Sequence, residues 1–361
     1  LSASAVRCRR DVTIWYLVVV KEIKTTALTA KQKAATMDEV EVLAKLDHPN
    51  IVHYHDCFMD EVYINIVMEY CDGGDLTGQI RGRNGALMTE DEVINKFVQV
   101  CLALQCVHAQ GVLHRDLKPS NVLVTTGGLL KIGDFGVSKI SNTDASMAST
   151  IVGTPHYLSP EMCDNKPYGR KSDVCARLAF DVHGHGVCPL GCADEPSRVT
   201  AFTKKKQKSD VWALGCILVE LITLQKAFDS SSISKIILSI IGGQYKPLAA
   251  CYSADLKQLV AALLQVSPAS RPAVHEILQM PYVQQHLMRY LEWARGVPEA
   301  RLDVVISSLQ GSLVERPRLG GATAPVQRWA AAAAAAGGGG AAAGAAAGGR
   351  GGAGGAAPGG G

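Results

Sequence analysis

The chain has 361 residues, with 36 Lys and Arg against 33 Asp and Glu, so its formal net charge is +3. This near balance excludes a polybasic nucleic-acid-binding arm and an acidic disordered protein as the main identity, and we expect no nucleic-acid partner. The hydrophobic content of 47% overstates the capacity to form a core. Residues 330–361 are Ala or Gly at all but two positions, and such a segment predicts a disordered tail.

The cysteines and the early apolar run indicate the cellular setting. Most of the 11 cysteines lie in ordinary apolar runs, as Cys101 and Cys106 do in VQVCLALQCVH. They are predicted to be small buried residues, which favours a reducing, intracellular setting. The apolar run 14–20 is too short to span a bilayer, so we expect no membrane partner. Three arginines precede it as in a signal peptide, but charged KEIK follows it where a small-residue cleavage site is required.

The predicted elements change character along the chain. The first 70 residues are predicted to hold strands at 12–23, 51–58 and 62–70, and a helix over 29–46 that Thr29 caps with Gln32. After a turn-rich CDGGDL, Thr89 and Glu92 predict the capping box of a helix that runs to Gly111. Short strands and loops follow to Pro160, and further helices are predicted at 211–224, 255–264 and 273–279.

Two motifs, HRDLKPSN at 114–121 and DFG at 134–136, carry residues suited to phosphoryl transfer. That reaction needs a carboxylate that orients the attacking hydroxyl and accepts its proton, and Asp116 is placed for it. Lys118, two residues later, can offset charge at the γ-phosphate. Mg²⁺ prefers carboxylate and amide oxygens, which Asp134 and Asn121 supply.

With these motifs the sequence resembles the eukaryotic protein kinases. The resemblance implies a bilobal α+β fold and transfer of the γ-phosphoryl group from ATP, with Mg²⁺, to protein substrates. It assigns Lys21 in VVVK to the α- and β-phosphates and Glu39 on the next helix to an ion pair with that lysine. It also pairs Glu161 of SPE, at the end of the activation segment, with Arg271 of SPASRP.

Longer runs such as LDHPNI, KIGDFGVSKI and SDVWALGCILVELITL resemble the NIMA-related serine/threonine kinases. Lys118 together with Thr154 is the arrangement found in Ser/Thr-specific kinases. The resemblance implies that Met68 is the gatekeeper and that Glu69 and Cys71 lie in the hinge that binds adenine. It also suggests a cytoplasmic location with cytoskeletal or centrosomal association.

Arg115, beside Asp116, suggests control by phosphorylation of the activation loop, because a phosphate can neutralise and position that cation. Thr150 is the first candidate for the phosphorylated residue and Ser149 the second. An upstream activating kinase is the partner that such control implies.

The first departure from the family pattern is at the start of the chain. A protein kinase normally begins with a strand and a G-x-G-x-x-G loop over the ATP phosphates, and here no glycine precedes Gly73. Residues 2–6 stand where the end of that loop is expected. We therefore expect a small lobe that lacks its first strand and its glycine loop.

The second departure is an insertion. The tetrapeptide KSDV at 171–174 recurs at 208–211, 37 residues later, and removing 37 residues restores KPYGRKSDVWALGC. We therefore expect an insertion at about 174–210, with Asp210 as the aspartate that begins a buried helix and braces the catalytic loop. The insertion contains His183, His185, Cys188 and Cys192, whose residue types and spacing suggest a zinc site as one interpretation. Intervening Gly and Pro favour an unstructured loop or a retained non-coding segment, with the basic run 204–208 in solvent.

The expected organisation is one kinase domain over 1–285, with an N-lobe at 1–70 and a C-lobe at 71–285, a linker at 286–329 and the tail. The leading interpretation is an active serine/threonine kinase. The alternative is a catalytically impaired kinase-like scaffold or a defective gene model, because the glycine loop is missing and an insertion interrupts the C-lobe.

Overall fold

The computed structural model describes residues 2–9, 15–26, 28–29, 33, 36–37, 40–41, 43–60, 62–135, 155–163 and 196–314. All of them lie in one compact unit, Leu1–Glu315. Several predicted features fall outside the described residues: Glu39, Gly136, Ser149, Thr150, Thr154, His183, His185, Cys188, Cys192 and the tail at 330–361. No helix within the described ranges is long and apolar enough to cross a membrane.

An antiparallel sheet of four strands, in the order β1-β2-β4-β3, forms the first lobe. Its strands are β1 (Ser2–Arg9), β2 (Trp15–Lys24), β3 (Tyr54–Met59) and β4 (Tyr63–Glu69). β2 and β4 pair so that Lys21 lies opposite Ile66. Val18, Ile64 and Ile66 are buried, so the apolar residues of these two strands fix the position of the strand that carries Lys21.

The start of the sheet differs from the expectation. From the sequence, residues 2–6 are placed at the end of a glycine loop, but the structure places them in β1. β1 pairs with β2 along its whole length, from Ser2 opposite Glu22 to Arg9 opposite Trp15. This pairing satisfies backbone groups that β2 would otherwise expose along its edge, a constraint that local sequence does not reveal.

Beyond the sheet, the described residues are mainly helical and follow the predicted order. Its helices are α1 (Leu76–Gly82), α2 (Glu90–Ala109), α3 (Pro160–Cys163), α4 (Pro196–Thr223), α5 (Ile233–Ile241), α6 (Ala254–Leu263), α7 (Val274–Ile277), α8 (Pro281–Ala294) and α9 (Leu302–Val314). A two-stranded ribbon of β5 (Val122–Val124) and β6 (Leu130–Ile132) lies between α2 and α3 in the chain. The α+β bilobal architecture expected from the sequence is therefore present.

Helix α2 begins as predicted. The hydroxyl of Thr89 accepts a hydrogen bond from the Glu92 backbone N–H at 3.2 Å, and the Glu92 carboxylate accepts one from the Thr89 N–H at 2.8 Å. This reciprocal capping box satisfies two donors that the first turn leaves without partners. Cys101 in the same helix is fully buried, as its apolar neighbours predict.

Helix α4 begins well before the predicted start. The sequence predicts an unstructured insertion with a solvated basic run over residues 196–210, whereas these residues are helical in the structure. Pro196 occupies a first-turn position, where a proline costs no hydrogen bond, and no Gly or Pro follows until Gly215. The buried second half of α4 supplies a helical nucleus from which this segment propagates. Lys208 is half-buried, and its ammonium donates to the Arg271 carbonyl at 2.6 Å.

The segment expected as a linker from 286 to 329 also differs over residues 286–314. It contains most of α8 and the whole of α9, and both helices pack against α2. Leu287, Tyr290 and Leu291 are fully buried. The apolar face of α8 therefore extends the core of the helical lobe beyond residue 285.

A buried arginine ties α3, α4 and the loop after α6 together. Both terminal nitrogens of Arg271 donate to Glu161, at 2.8 and 2.7 Å. Its remaining N–H groups donate to the carbonyls of Lys208, Gln265 and Val266, and its guanidinium lies 4.9 Å from the centre of the Trp212 ring. All five donors of this fork are therefore satisfied.

Replacement of this arginine tests its role as a brace. We expect Arg271→Ala to lower the free energy of unfolding by about 3–5 kcal/mol, because the mutation leaves Glu161 without its buried partner. Urea unfolding followed by circular dichroism measures the change. Arg289→Ala is the matched control, since Arg289 pairs with Asp91 at the surface and such pairs contribute less than about 1 kcal/mol. Equal losses in the two variants would contradict the assignment.

Candidate functional site

The loop between α2 and β5 brings three of the predicted residues together. Lys118 Nζ lies 2.8 Å from Asp116 Oδ2. The Asn121 side-chain amide donates to the same carboxylate oxygen at 3.2 Å and to the Asp116 carbonyl at 2.8 Å. The Asp116 side chain retains 23% of its accessible surface, so its carboxylate is held by two donors and is still open to a substrate.

The second half of the site follows β6. The Gly133 N–H donates to the Asn121 carbonyl at 2.9 Å, which joins the segment carrying Asp134 to the catalytic loop. Lys21 of β2 donates to Asp134 Oδ1. The Asp134 backbone has φ +55°, a left-handed conformation that costs energy for a residue with a side chain and is retained where the surroundings determine it.

Asp210 of α4 binds the backbone of the catalytic loop. Its carboxylate accepts from the His114 N–H at 3.0 Å and the Arg115 N–H at 3.1 Å, and His108 Nε2 lies 2.9 Å away. Burial alone would raise the pKa of this carboxyl, but the hydrogen bond and charge of His108 and the hydrogen bond from the His114 N–H outweigh burial and lower the pKa below its usual value. Arg115 has φ +66°, and the bond from its N–H to Asp210 helps to hold that conformation.

His114 connects the two halves of the site through its ring. Burial lowers the pKa of this histidine, so the ring is neutral. Its Nε2 lies 3.0 Å from the Gly133 carbonyl, and the Asp116 N–H donates to its Nδ1 at 3.4 Å. These partners define the tautomer with the proton on Nε2. The ring packs 4.7 Å from that of Phe135, so His114 lies between the segments that carry Asp116 and Asp134.

The predicted hinge contains an interaction that sequence reasoning missed. Glu69 Oε2 lies 3.0 Å from Lys131 Nζ of β6 and accepts from the His53 N–H at 3.0 Å. Cys71 is buried, and burial raises its pKa to about 12, so it is a neutral thiol. A lysine in the middle of an apolar strand was the available signal for this contact, because such a lysine is rarely buried without a partner.

Met68 completes the cleft. It lines a small cavity beside the predicted phosphate-binding lysine, together with Lys21, Ile51, Tyr54, Asp134 and Phe135. The structure thus brings Lys21, Asp116, Lys118, Asn121 and Asp134 into one hydrogen-bonded cluster. Glu39, the predicted partner of Lys21, lies outside the described residues.

The protein kinase domain family matches residues 2–177 and 196–283. The chain belongs to the protein kinase family. The unmatched residues 178–195 lie within the insertion predicted from the repeated tetrapeptide. A crystal structure of Rad53 residues 1–466 in complex with AMP-PNP shares the fold, with a TM-score of 0.55 and 24% identity over 74% of this chain and 58% of that one.

The curated relatives include several Nek kinases. Serine/threonine-protein kinase Nek1 of Mus musculus is 37% identical over 273 residues, covering 76% of this chain and 20% of that protein. Nek5 of Homo sapiens is 35% identical, covering 76% of this chain and 34% of that protein. Nek8 of Danio rerio is 35% identical, covering 86% and 39%. The chain therefore spans less than half the length of these relatives, and the predicted resemblance to NIMA-related kinases is confirmed.

The charge of Asp210 can be tested by pH. A carboxyl whose pKa is lower in the folded than in the unfolded chain stabilises the fold above the unfolded pKa and loses that contribution as pH falls. We expect Asp210→Asn to cost about 2–4 kcal/mol near neutral pH. The difference from the parent protein should shrink as the pH falls from the usual carboxyl value of 3.8 through the lowered one. Urea unfolding of both proteins over a pH series measures it, and a difference independent of pH would contradict this account.

Proposed function

We propose that this protein is a serine/threonine protein kinase that transfers the γ-phosphoryl group of ATP to hydroxyl groups of protein substrates. The observation that carries the proposal is the cluster in which Asp116, Lys118 and Asn121 are hydrogen-bonded to one another and joined through Gly133 to Asp134 and Lys21. Phosphoryl transfer depends on positioning and charge stabilisation, and this cluster offers a base, two cations and metal-binding oxygens at fixed separations.

Asp116 would orient the attacking Ser or Thr hydroxyl and accept its proton. Two contacts prepare it for this role, since Lys118 and Asn121 both donate to Oδ2 and hold the carboxylate in place. Lys118 would in addition offset the charge that develops on the transferred group. Lys21, which donates to Asp134 Oδ1, would contact the α- and β-phosphates.

The side chains of Asn121 and Asp134 fit the requirements of Mg²⁺. Both amide N–H donations of Asn121 go to Asp116, which orients the amide oxygen as an acceptor, and half of the Asp134 side chain is exposed. Carboxylate and amide oxygens are the ligands that this ion prefers. Bound there, Mg²⁺ would neutralise charge on the phosphate oxygens. Adenine would bind the backbone of Glu69 and Cys71 in the hinge beside Met68.

Replacement of the base tests the proposal directly. We expect Asp116→Ala to lower the rate of phosphate transfer from Mg²⁺-ATP to a Ser/Thr peptide library by about 10²–10⁴-fold, because general base catalysis is lost. Radiolabelled transfer measures the rate, and Asp229→Ala, at an exposed position, is the matched control. If the parent protein is no faster than Asp116→Ala, the kinase assignment fails and the chain is a kinase-like scaffold. Transfer to tyrosine alone would overturn the Ser/Thr assignment.

Activation by phosphorylation is the second part of the proposal. Arg115 lies beside the proposed base, and a phosphate on Thr150 would supply a charge-assisted partner to its guanidinium. We expect Thr150→Ala to lower the activity of protein phosphorylated by an upstream kinase, and Ser149→Ala to retain it. Peptide-transfer assays before and after phosphatase treatment measure this. An unphosphorylated protein that is fully active would contradict it.

We also propose that the protein acts in the cytoplasm in association with the cytoskeleton, as the resemblance to NIMA-related kinases suggests. Co-localisation of the tagged full chain with tubulin tests this location. A uniform distribution in the cell would contradict it.

A further inference from the structure

Helix α8 carries a tyrosine that reaches the loop before β3. Tyr290 lies beyond residue 283, where the match to the protein kinase domain family ends. Its side chain is fully buried, and its hydroxyl donates to Asn50 Oδ1 at 3.2 Å. The contact joins residues 240 positions apart, so it connects the C-terminal helices to a loop adjoining the small lobe.

Asn50 is the acceptor in this contact and is itself fully buried. Its side-chain amide donates to the Leu130 carbonyl at 2.8 Å and to Gln99 Oε1 at 3.2 Å. The same Gln99 oxygen accepts from the Leu130 N–H at 2.8 Å. Both N–H groups of the Asn50 amide therefore donate hydrogen bonds, one to β6 and one to Gln99, which also binds β6.

The backbone of this loop is bonded to β6 as well. Ile132 donates to the Asn50 carbonyl at 2.8 Å and accepts from the Val52 N–H at 2.9 Å, in the manner of a parallel strand. A Cβ atom on Gly133 would lie 2.8 Å from Val52 Cγ2, so the loop and the residue before Asp134 are in tight contact. A shift of Asn50 would therefore move the segment that ends in Asp134.

Two further contacts lie at the ends of this segment. At the start of α8, the Tyr282 hydroxyl donates to Glu90 Oε1 of α2 at 2.6 Å. After the end of α8, Arg301 forms a bidentate ion pair with Asp47, three residues before Asn50. The ion pair joins the residues after α8 to the loop that contains Asn50, whereas the Tyr282 contact involves neither that loop nor β6.

We propose that Tyr290 is a positioning residue for the proposed Mg²⁺-binding aspartate, acting through Asn50 and β6. The proposal rests on the proposed kinase function for the role of Asp134. Removal of the Tyr290 hydroxyl would leave Asn50 Oδ1 without the hydrogen bond that it accepts among the described residues. A buried acceptor without a partner costs free energy. Rotation of the amide to recover a partner would break its bonds to Leu130 and Gln99.

The test is Tyr290→Phe in the full chain, with Tyr282→Phe as the matched control. Both substitutions remove one hydroxyl from α8 and one hydrogen bond, but only Tyr290 is connected to β6. We expect Tyr290→Phe to raise the Mg²⁺ concentration for half-maximal activity and the KM for ATP by about 3- to 10-fold, the effect of one hydrogen bond, with kcat changed less. Tyr282→Phe should change both constants by less than about 2-fold.

A second readout is independent of activity. Amide hydrogen exchange of Leu130 and Ile132 should be faster in Tyr290→Phe than in Tyr282→Phe, because the bonds that protect β6 are weakened. In an Asn50→Ala background, Tyr290→Phe should add little to either measurement, since the two residues act in series. Equal constants and equal exchange in the two tyrosine variants would overturn the proposal. If the parent protein has no kinase activity but Tyr290→Phe still speeds the exchange of β6, the coupling is supported and the proposed function is refuted.

Discussion

The buried carboxylate of Asp210 is the constraint on which the site depends. It is an ion inside the protein, and its burial is tolerated because His108 and the N–H groups of His114 and Arg115 all point at it. Those three groups belong to the end of α2 and to the catalytic loop, so α4 fixes both at once. The left-handed backbone of Arg115 is held in the same way, and it directs the chain from the buried His114 to the accessible Asp116.

Arg271 performs a similar function at the other end of the same short stretch of α4. It binds the Lys208 carbonyl, two residues before Asp210, and its guanidinium packs on Trp212, two residues after it. The described contacts that connect α4 to the site therefore include a short stretch around Lys208, Asp210 and Trp212.

The sequence predicts the parts of this structure that local chemistry determines. The spacing of Asp116, Lys118 and Asn121 fixes their cluster, and the Thr89 capping box fixes the start of α2. It does not predict β1, the early start of α4 or the helices after residue 285, because each is stabilised by pairing, packing or propagation from a neighbouring segment and not by a signal in its own residues. β1 is stabilised by pairing with β2, and α8 by its apolar face against α2. The Glu69–Lys131 contact was missed for the same reason.

The segments of the site are joined largely through backbone carbonyls. Gly133 binds the Asn121 carbonyl, His114 binds the Gly133 carbonyl, and Asn50 binds that of Leu130. Every residue has a carbonyl, so the acceptors leave no signature in the sequence. The only signature comes from the few buried side chains that bind these carbonyls. These side chains are an amide and a neutral imidazole, whose own hydrogen-bonding groups must also find partners. The geometry around Asp134 therefore depends in part on residues that bear none of the proposed chemistry, and we include among them a tyrosine 156 positions away.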